Sequence, residues 1–219
     1  MRLAYCLARE SSVTLFSRKE NALTTHAKAV SDWIATLPPR SFFATTDAPG
    51  PARAVETALS RLATPDGPIQ RVRQGLYWKQ PPATPFGRSR PDPTDAAFAA
   101  AGAGSGLSGP SAANALGLST QVPRQPVVAV VGRPPKGLRN VRFVNRSNPH
   151  RITLNHLEIA FLEVLADFDN VSEIDWPTAV TRLRRIASSS GVDLQHVGIV
   201  ARHERRKGIT DRLASLVSA

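Results

Sequence analysis

The chain reads as an α+β protein in two parts, and three observations predict this. The first eighty residues run in the order helix, short strand, amphipathic helix and basic hairpin. A proline-dense stretch then interrupts the chain between 80 and 95. Beyond it, two valine-rich runs precede a series of segments with helical periodicity.

The first part opens on Leu23, Ala27, Val30, Ile34 and Leu37, which recur at helical spacing and stop at Pro38-Pro39. Ser41-Phe42-Phe43-Ala44 suits a short strand. Pro51 opens a second periodic segment. Val55, Ala58, Leu59 and Leu62 share one of its faces, and Arg53, Glu56, Thr57, Ser60 and Arg61 the other. After the turn cluster Pro65-Asp66-Gly67-Pro68, two β-prone runs flank Gln74-Gly75, with Gly75 suited to a tight turn at positive φ. Strand alternation places Arg71 and Arg73 on one side. This order is that of a winged helix-turn-helix, with residues 1–80 as the DNA-binding domain and 1–20 as an extension of it. The same fold also serves protein contacts, because a fold does not determine a function.

Residues 80–95 hold five prolines and are expected to form a connector with no helix. Residues 96–219 form the larger α+β domain. Ser111–Leu118 reads as a short helix, and Val127–Val131 and Val141–Val144 as strands. The next helix turns Leu157, Phe161, Val164, Leu165 and Phe168 inward. Asp175 and Asp193 are expected N-caps of the two helices after it, and Ile209, Leu213 and Leu216 line the last.

Composition narrows the function. The 219 residues carry 28 Lys+Arg against 17 Asp+Glu, a formal net charge of +11. A polyanionic partner is implied. Arginine dominates the cations; it offers a planar fork for phosphates and guanine edges, although a GC-rich genome also favours it. Both parts are basic. No acid lies between Asp95 and Glu158, whereas Arg124, Arg133, Lys136, Arg139, Arg142, Arg146 and Arg151 all do. No apolar run approaches a membrane span, and Leu3–Ala8 is too short for a signal peptide. The single Cys6 excludes a disulfide framework and reads as a small buried side chain in a protein of the reducing cytosol.

No constellation argues for an enzyme, and no cofactor or metal is expected. Gly104-Ser-Gly106-Leu-Ser-Gly109 matches a dinucleotide pattern literally but lacks the acid that should follow, so it reads as a flexible turn. His203-Glu204 fails the zincin pattern at Lys207. His156 and Glu163 share a helical face without a third ligand.

Ala58-Leu59-Ser60-Arg61-Leu62 followed by Arg71-Val72-Arg73-Gln74-Gly75-Leu76-Tyr77 resembles the signature of AbiEi-type antitoxins of type IV toxin–antitoxin systems. Pro110–Pro123 and Arg142-Phe-Val-Asn-Arg146 with its helical tail are similar to that family's second domain, so the resemblance spans roughly residues 22 to 215. It implies a cytoplasmic transcriptional regulator that binds duplex DNA at its own promoter and represses its operon. It also implies a second domain that counters a nucleotidyltransferase-like toxin. By position, Arg53, Thr57, Ser60 and Arg61 would form the recognition-helix face, Arg71, Arg73 and Lys79 would be wing contacts, and Gly75 would make the wing turn. Tyr77 and Trp78 are candidates for packing the hairpin or for stacking on sugar. Arg124, Arg133, Lys136, Arg139, Arg142 and Arg146 form a secondary basic surface, for DNA, the toxin or RNA. Monomer and dimer remain equally compatible.

Overall fold

The computed structural model describes residues 25–218 apart from 86 and 207. Cys6, Leu23 and the extension 1–20 lie outside the described residues. The fold is α+β, with two small three-stranded sheets and helices around them. Contacts divide it into two compact units, one ending at Pro91 and the other beginning at Asp92.

In the first unit, helix α1 covers residues 25–36 and is followed by Pro38-Pro39, which cannot donate the next helical hydrogen bonds. Strand β1 (Phe42–Ala44) leads into a single 3-10 turn, Thr45–Asp47. The Asp47 carboxylate accepts the Ala44 N–H at 2.7 Å and fastens that turn. Helix α2 (Ala52–Leu62) starts directly after Pro51 and buries Val55, Ala58 and Leu59. Strands β2 (Ile69–Arg73) and β3 (Leu76–Lys79) form the hairpin, and β1 pairs with β3 to give the antiparallel order β1-β3-β2. Gly75 turns at φ +76°, a conformation that costs an L side chain about 1–2 kcal/mol. The core joins Val30 and Ile34 of α1 to Phe43, Val55, Leu59, Ile69 and Tyr77. Each such fully buried aliphatic side chain contributes about 1.5–3 kcal/mol. Trp33 meets Phe43 edge-on at 5.2 Å, and Phe43 stacks on Tyr77 at 5.8 Å.

The expected connector is shared between the units. Arg88 folds back on the first, donating to the carbonyls of Asp66 at 2.8 Å and Gly67 at 3.1 Å. A helix does form within 80–95, contrary to expectation: α3 (Pro93–Ala101) begins at Pro93. Proline fits the first helical position, where its missing N–H has no intrahelical partner to lose. Asp92 caps the helix by accepting the N–H groups of Thr94 and Asp95.

In the second unit, β4 (Gly106–Leu107) pairs antiparallel with β5 (Val127–Val131), and β5 pairs parallel with β6 (Arg142–Arg146). Helix α4 (Gly109–Ala115) lies between β4 and β5 in sequence. Val128 and Val130 pack with Ala97 of α3, while Ala129 joins the main core on the other side. Helix α5 (His156–Val171) is the centre of that core and buries Ile159, Phe161, Leu162, Val164 and Leu165. Asn155 and Glu158 close its start as a reciprocal capping box. Helices α6 (Trp176–Ser190), α7 (Leu194–Ala201) and α8 (Ile209–Val217) complete the unit; Asp175 and Asp193 cap α6 and α7 as expected. The glycine motif is not a flexible turn. A Cβ on Gly106 would lie 2.5 Å from the His156 carbonyl oxygen and from Ile159, so the missing side chain lets β4 press against α5.

Candidate nucleic-acid interface

The outer face of α2 carries Arg53, Thr57, Ser60 and Arg61, all exposed, at the i, i+4, i+7 and i+8 spacing that aligns side chains along a helix. Glu56 is exposed among them. The inner face is apolar, so packing against the core decides which side points out. The Thr57 hydroxyl donates to the Arg53 carbonyl at 2.8 Å and keeps its oxygen lone pairs for an incoming donor. Arg53 and Arg61 have no ion pair or side-chain hydrogen bond among the described residues.

The hairpin carries Arg71 and Arg73 near its turn. Arg71 is exposed and Arg73 half-buried, and a bulge between them shifts the pairing from Arg71–Tyr77 to Arg73–Leu76. The bulge breaks the strict alternation expected across this strand. The Arg73 Nε is shielded and has no acceptor among the described residues. Lys79 is differently used: its ammonium donates to the Ile34 carbonyl at the end of α1. A cation there also complements the negative end of the helix dipole. Tyr77 and Trp78 are buried, and the Trp78 indole donates to the Arg40 carbonyl at 3.0 Å, so both rings belong to the hairpin's packing.

The secondary basic residues divide. Arg124, Arg133, Lys136, Arg139 and Arg142 are exposed. Arg146 is tied from behind: its Nε donates to Glu163 Oε1 at 2.7 Å and its Nη2 to Glu163 Oε2 at 2.6 Å. Arg151 is fully buried; it pairs with Glu163 at 2.5 Å and with Glu204 at 2.7 Å. The Ser108 hydroxyl donates to Glu163 at 2.6 Å, and Asn148 donates to Glu204 at 2.8 Å. Burial by itself pushes the Glu163 carboxyl pKa up, but Arg146, Arg151 and Ser108 outweigh it and hold the value at about 2. The two suspected ligand residues are thus accounted for. Glu163 anchors two guanidinium groups, and His156 stacks on Phe98 at 4.1 Å with its Nδ1 2.5 Å from the Ser105 carbonyl oxygen.

In front of this network lies a groove of about 840 Å³, bordered by Arg124, Arg142, Arg146, Arg206, Val144 and Asp167. Sequence reading placed Arg124, Arg142 and Arg146 together but missed Arg206, which sits sixty residues beyond Arg146. Arg88 and Arg90 were also missed; they share a smaller groove with Arg71 beside β2. Among the described residues, no group of three or more His, Cys, Asp or Glu is placed to hold a metal ion. No helix among them is long and apolar enough to cross a membrane.

No protein-family model matches the chain, and no curated protein matches it. Among solved structures, the RV2827C protein from Mycobacterium tuberculosis is similar at 18% identity, over 89% of this chain and 81% of that one, with a TM-score of 0.41.

Proposed function

We propose that the first unit is a winged helix-turn-helix module that binds duplex DNA. In this proposal the chain represses its own operon as the antitoxin of a type IV toxin–antitoxin pair. The observation that supports it most is the outer face of α2, where two exposed arginines, without acidic partners among the described residues, flank two small hydroxyl side chains. A helix of this length enters the major groove, where Arg61 is suited to pair bidentately with a guanine edge. Thr57 and Ser60 are short enough to let the backbone approach, and Arg71 and Arg73 meet flanking phosphates. The sheet order β1-β3-β2 with a terminal hairpin supports the same assignment. A single 3-10 turn, Thr45–Asp47, then stands where the first helix of the DNA-binding pair belongs.

A gel-shift titration tests this, using the chain's own upstream DNA against a random duplex at about 0.15 M salt, where charge alone gives weak binding. Preference for the upstream duplex is expected; equal affinity for both contradicts the proposal. The antitoxin part rests on the resemblance of residues 110–123 and 142–146 to the second domain of that family. Co-expression with the product of the adjacent gene tests it: that product should be toxic alone and rescued by the chain, and rescue should fail when residues 94–219 are deleted.

A further inference from the structure

Strand β6 is an edge. Among the described residues it pairs only with β5, and its other side carries no partner strand. The Arg142 N–H donates to the Pro126 carbonyl at 2.9 Å, toward the β5 side. In a parallel ladder successive residues alternate their backbone groups between the two sides of the strand. Arg142, Val144 and Arg146 therefore direct theirs at β5, and Phe143 and Asn145 present an N–H and a carbonyl each to the outside. A strand of five residues with free donors and acceptors is a template for another strand.

The side chains beside this edge choose the partner. Period-two geometry puts Arg142, Val144 and Arg146 on one face of β6, and all three border the arginine groove. Arg124 and Arg206 face the same space from outside the sheet, with Asp167 as the one acid among the described lining residues. Among the described residues Arg124, Arg142 and Arg206 have no acidic partner, and Arg146 keeps its Nη1 after pairing with Glu163. Glu163 and Arg151 behind Arg146 fix that guanidinium in place, so its position is set before a ligand arrives.

We propose that the β6 edge accepts an added strand from an acidic polypeptide, whose carboxylates at alternate positions meet Arg142, Arg146, Arg124 and Arg206. Two features favour a polypeptide over a nucleic acid. A phosphodiester backbone offers acceptors without donors, so it leaves the outward carbonyls of Phe143 and Asn145 unmet, whereas a peptide strand supplies both. Among the described residues the groove lining also lacks an aromatic ring on which a base would stack. This site lies wholly in the second unit and is independent of DNA reading by α2.

The test is fluorescence anisotropy with the full chain at about 0.15 M salt and a fluorescein-labelled ten-residue peptide of alternating Glu and Thr. Saturable binding is expected. Asn145→Pro removes one outward donor at an edge position that tolerates proline and should weaken binding about tenfold. Arg142→Ser should weaken it similarly, and Asn145→Ala should bind as the parent does, since only the backbone of that residue is used. Folding of each variant is checked by circular dichroism. Should Asn145→Pro fail to fold, a peptide N-methylated at alternate residues on the parent protein replaces it, and binding should be lost. Equal binding of the N-methylated peptide overturns the proposal. So does a lack of peptide binding, or equal affinity for an oligothymidylate of the same charge. Loss of operator binding by Arg61→Ala would leave all of these outcomes unchanged.

Discussion

The arginines of α2 and those of the β6 groove differ in what stands behind them. Arg53 and Arg61 project from a helix whose inner face is apolar, and among the described residues no carboxylate holds them. Arg146 projects from a strand edge and is held from behind by Glu163, itself locked by Arg151 and Ser108. The first surface is therefore cheap to alter, because changing its side chains leaves the core intact. The second is part of the fold, and removing its central cation leaves two buried carboxylates, Glu163 and Glu204, sharing Arg151. Charge on a sequence says nothing about which of these two situations a residue occupies; the partner's burial does.

The sharpest way to break this contrast is to remove the central carboxylate. Glu163→Gln removes the carboxylate that holds Arg146 and leaves the fully buried Arg151 with Glu204 as its one acid among the described residues; it should destabilise the second unit by about 3–5 kcal/mol in urea unfolding. A loss under about 1 kcal/mol would mean the network is solvated, like a surface pair.

Acid is the next largest perturbation. The Glu163 carboxyl is held at about 2 against an ordinary value of 4.5. A depressed carboxylate stabilises the fold above its unfolded pKa, and that stabilisation is lost as pH falls toward the folded value. Stability should therefore drop by roughly 3 kcal/mol between about pH 5 and pH 2 through this group alone. Denaturant midpoints measured across that range check it, and the drop should shrink in Glu163→Gln.

On the exposed surface the order reverses, with small effects on stability and larger ones on binding. Arg61→Ala should cost about 1–3 kcal/mol in binding to the upstream duplex and much less on random duplex, with no change in the melting midpoint. Arg73→Ala should weaken both duplexes alike and lower the salt slope by about one. The smallest change is Gly75→Ala. A Cβ there meets nothing within 4 Å, so only the positive φ is penalised, by about 1 kcal/mol in thermal unfolding.

Local features were legible in the sequence. Asp175 and Asp193 act as caps, the two valine-rich runs are strands, Gly75 turns the hairpin, and Ile209, Leu213 and Leu216 face inward. Each depends on residues within a turn or two of one another. What was hidden depends on distant pairing. Arg146 and Arg151 read as members of an acid-free basic stretch because their carboxylates, Glu163 and Glu204, stand outside it in sequence. Lys79, expected as a wing contact, also donates to a backbone carbonyl on α1, a link that no side-chain pattern reports. The glycine pair at 104 and 106 read as loose because what needs them small lies some fifty residues on: the backbone of Arg151 and Ile152 for Gly104, and α5 for Gly106. Arg206 carried no local signal at all.

The central claim is that the α2 face distinguishes one duplex from another. The most direct measurement compares the affinities of the parent and Arg61→Ala for the upstream and random duplexes, in one titration series at about 0.15 M salt. A preference for the upstream duplex in the parent that collapses in the variant, with random-duplex binding nearly unchanged, is the predicted result. Equal affinity of the parent for both duplexes, or a variant that keeps the full preference, would contradict it.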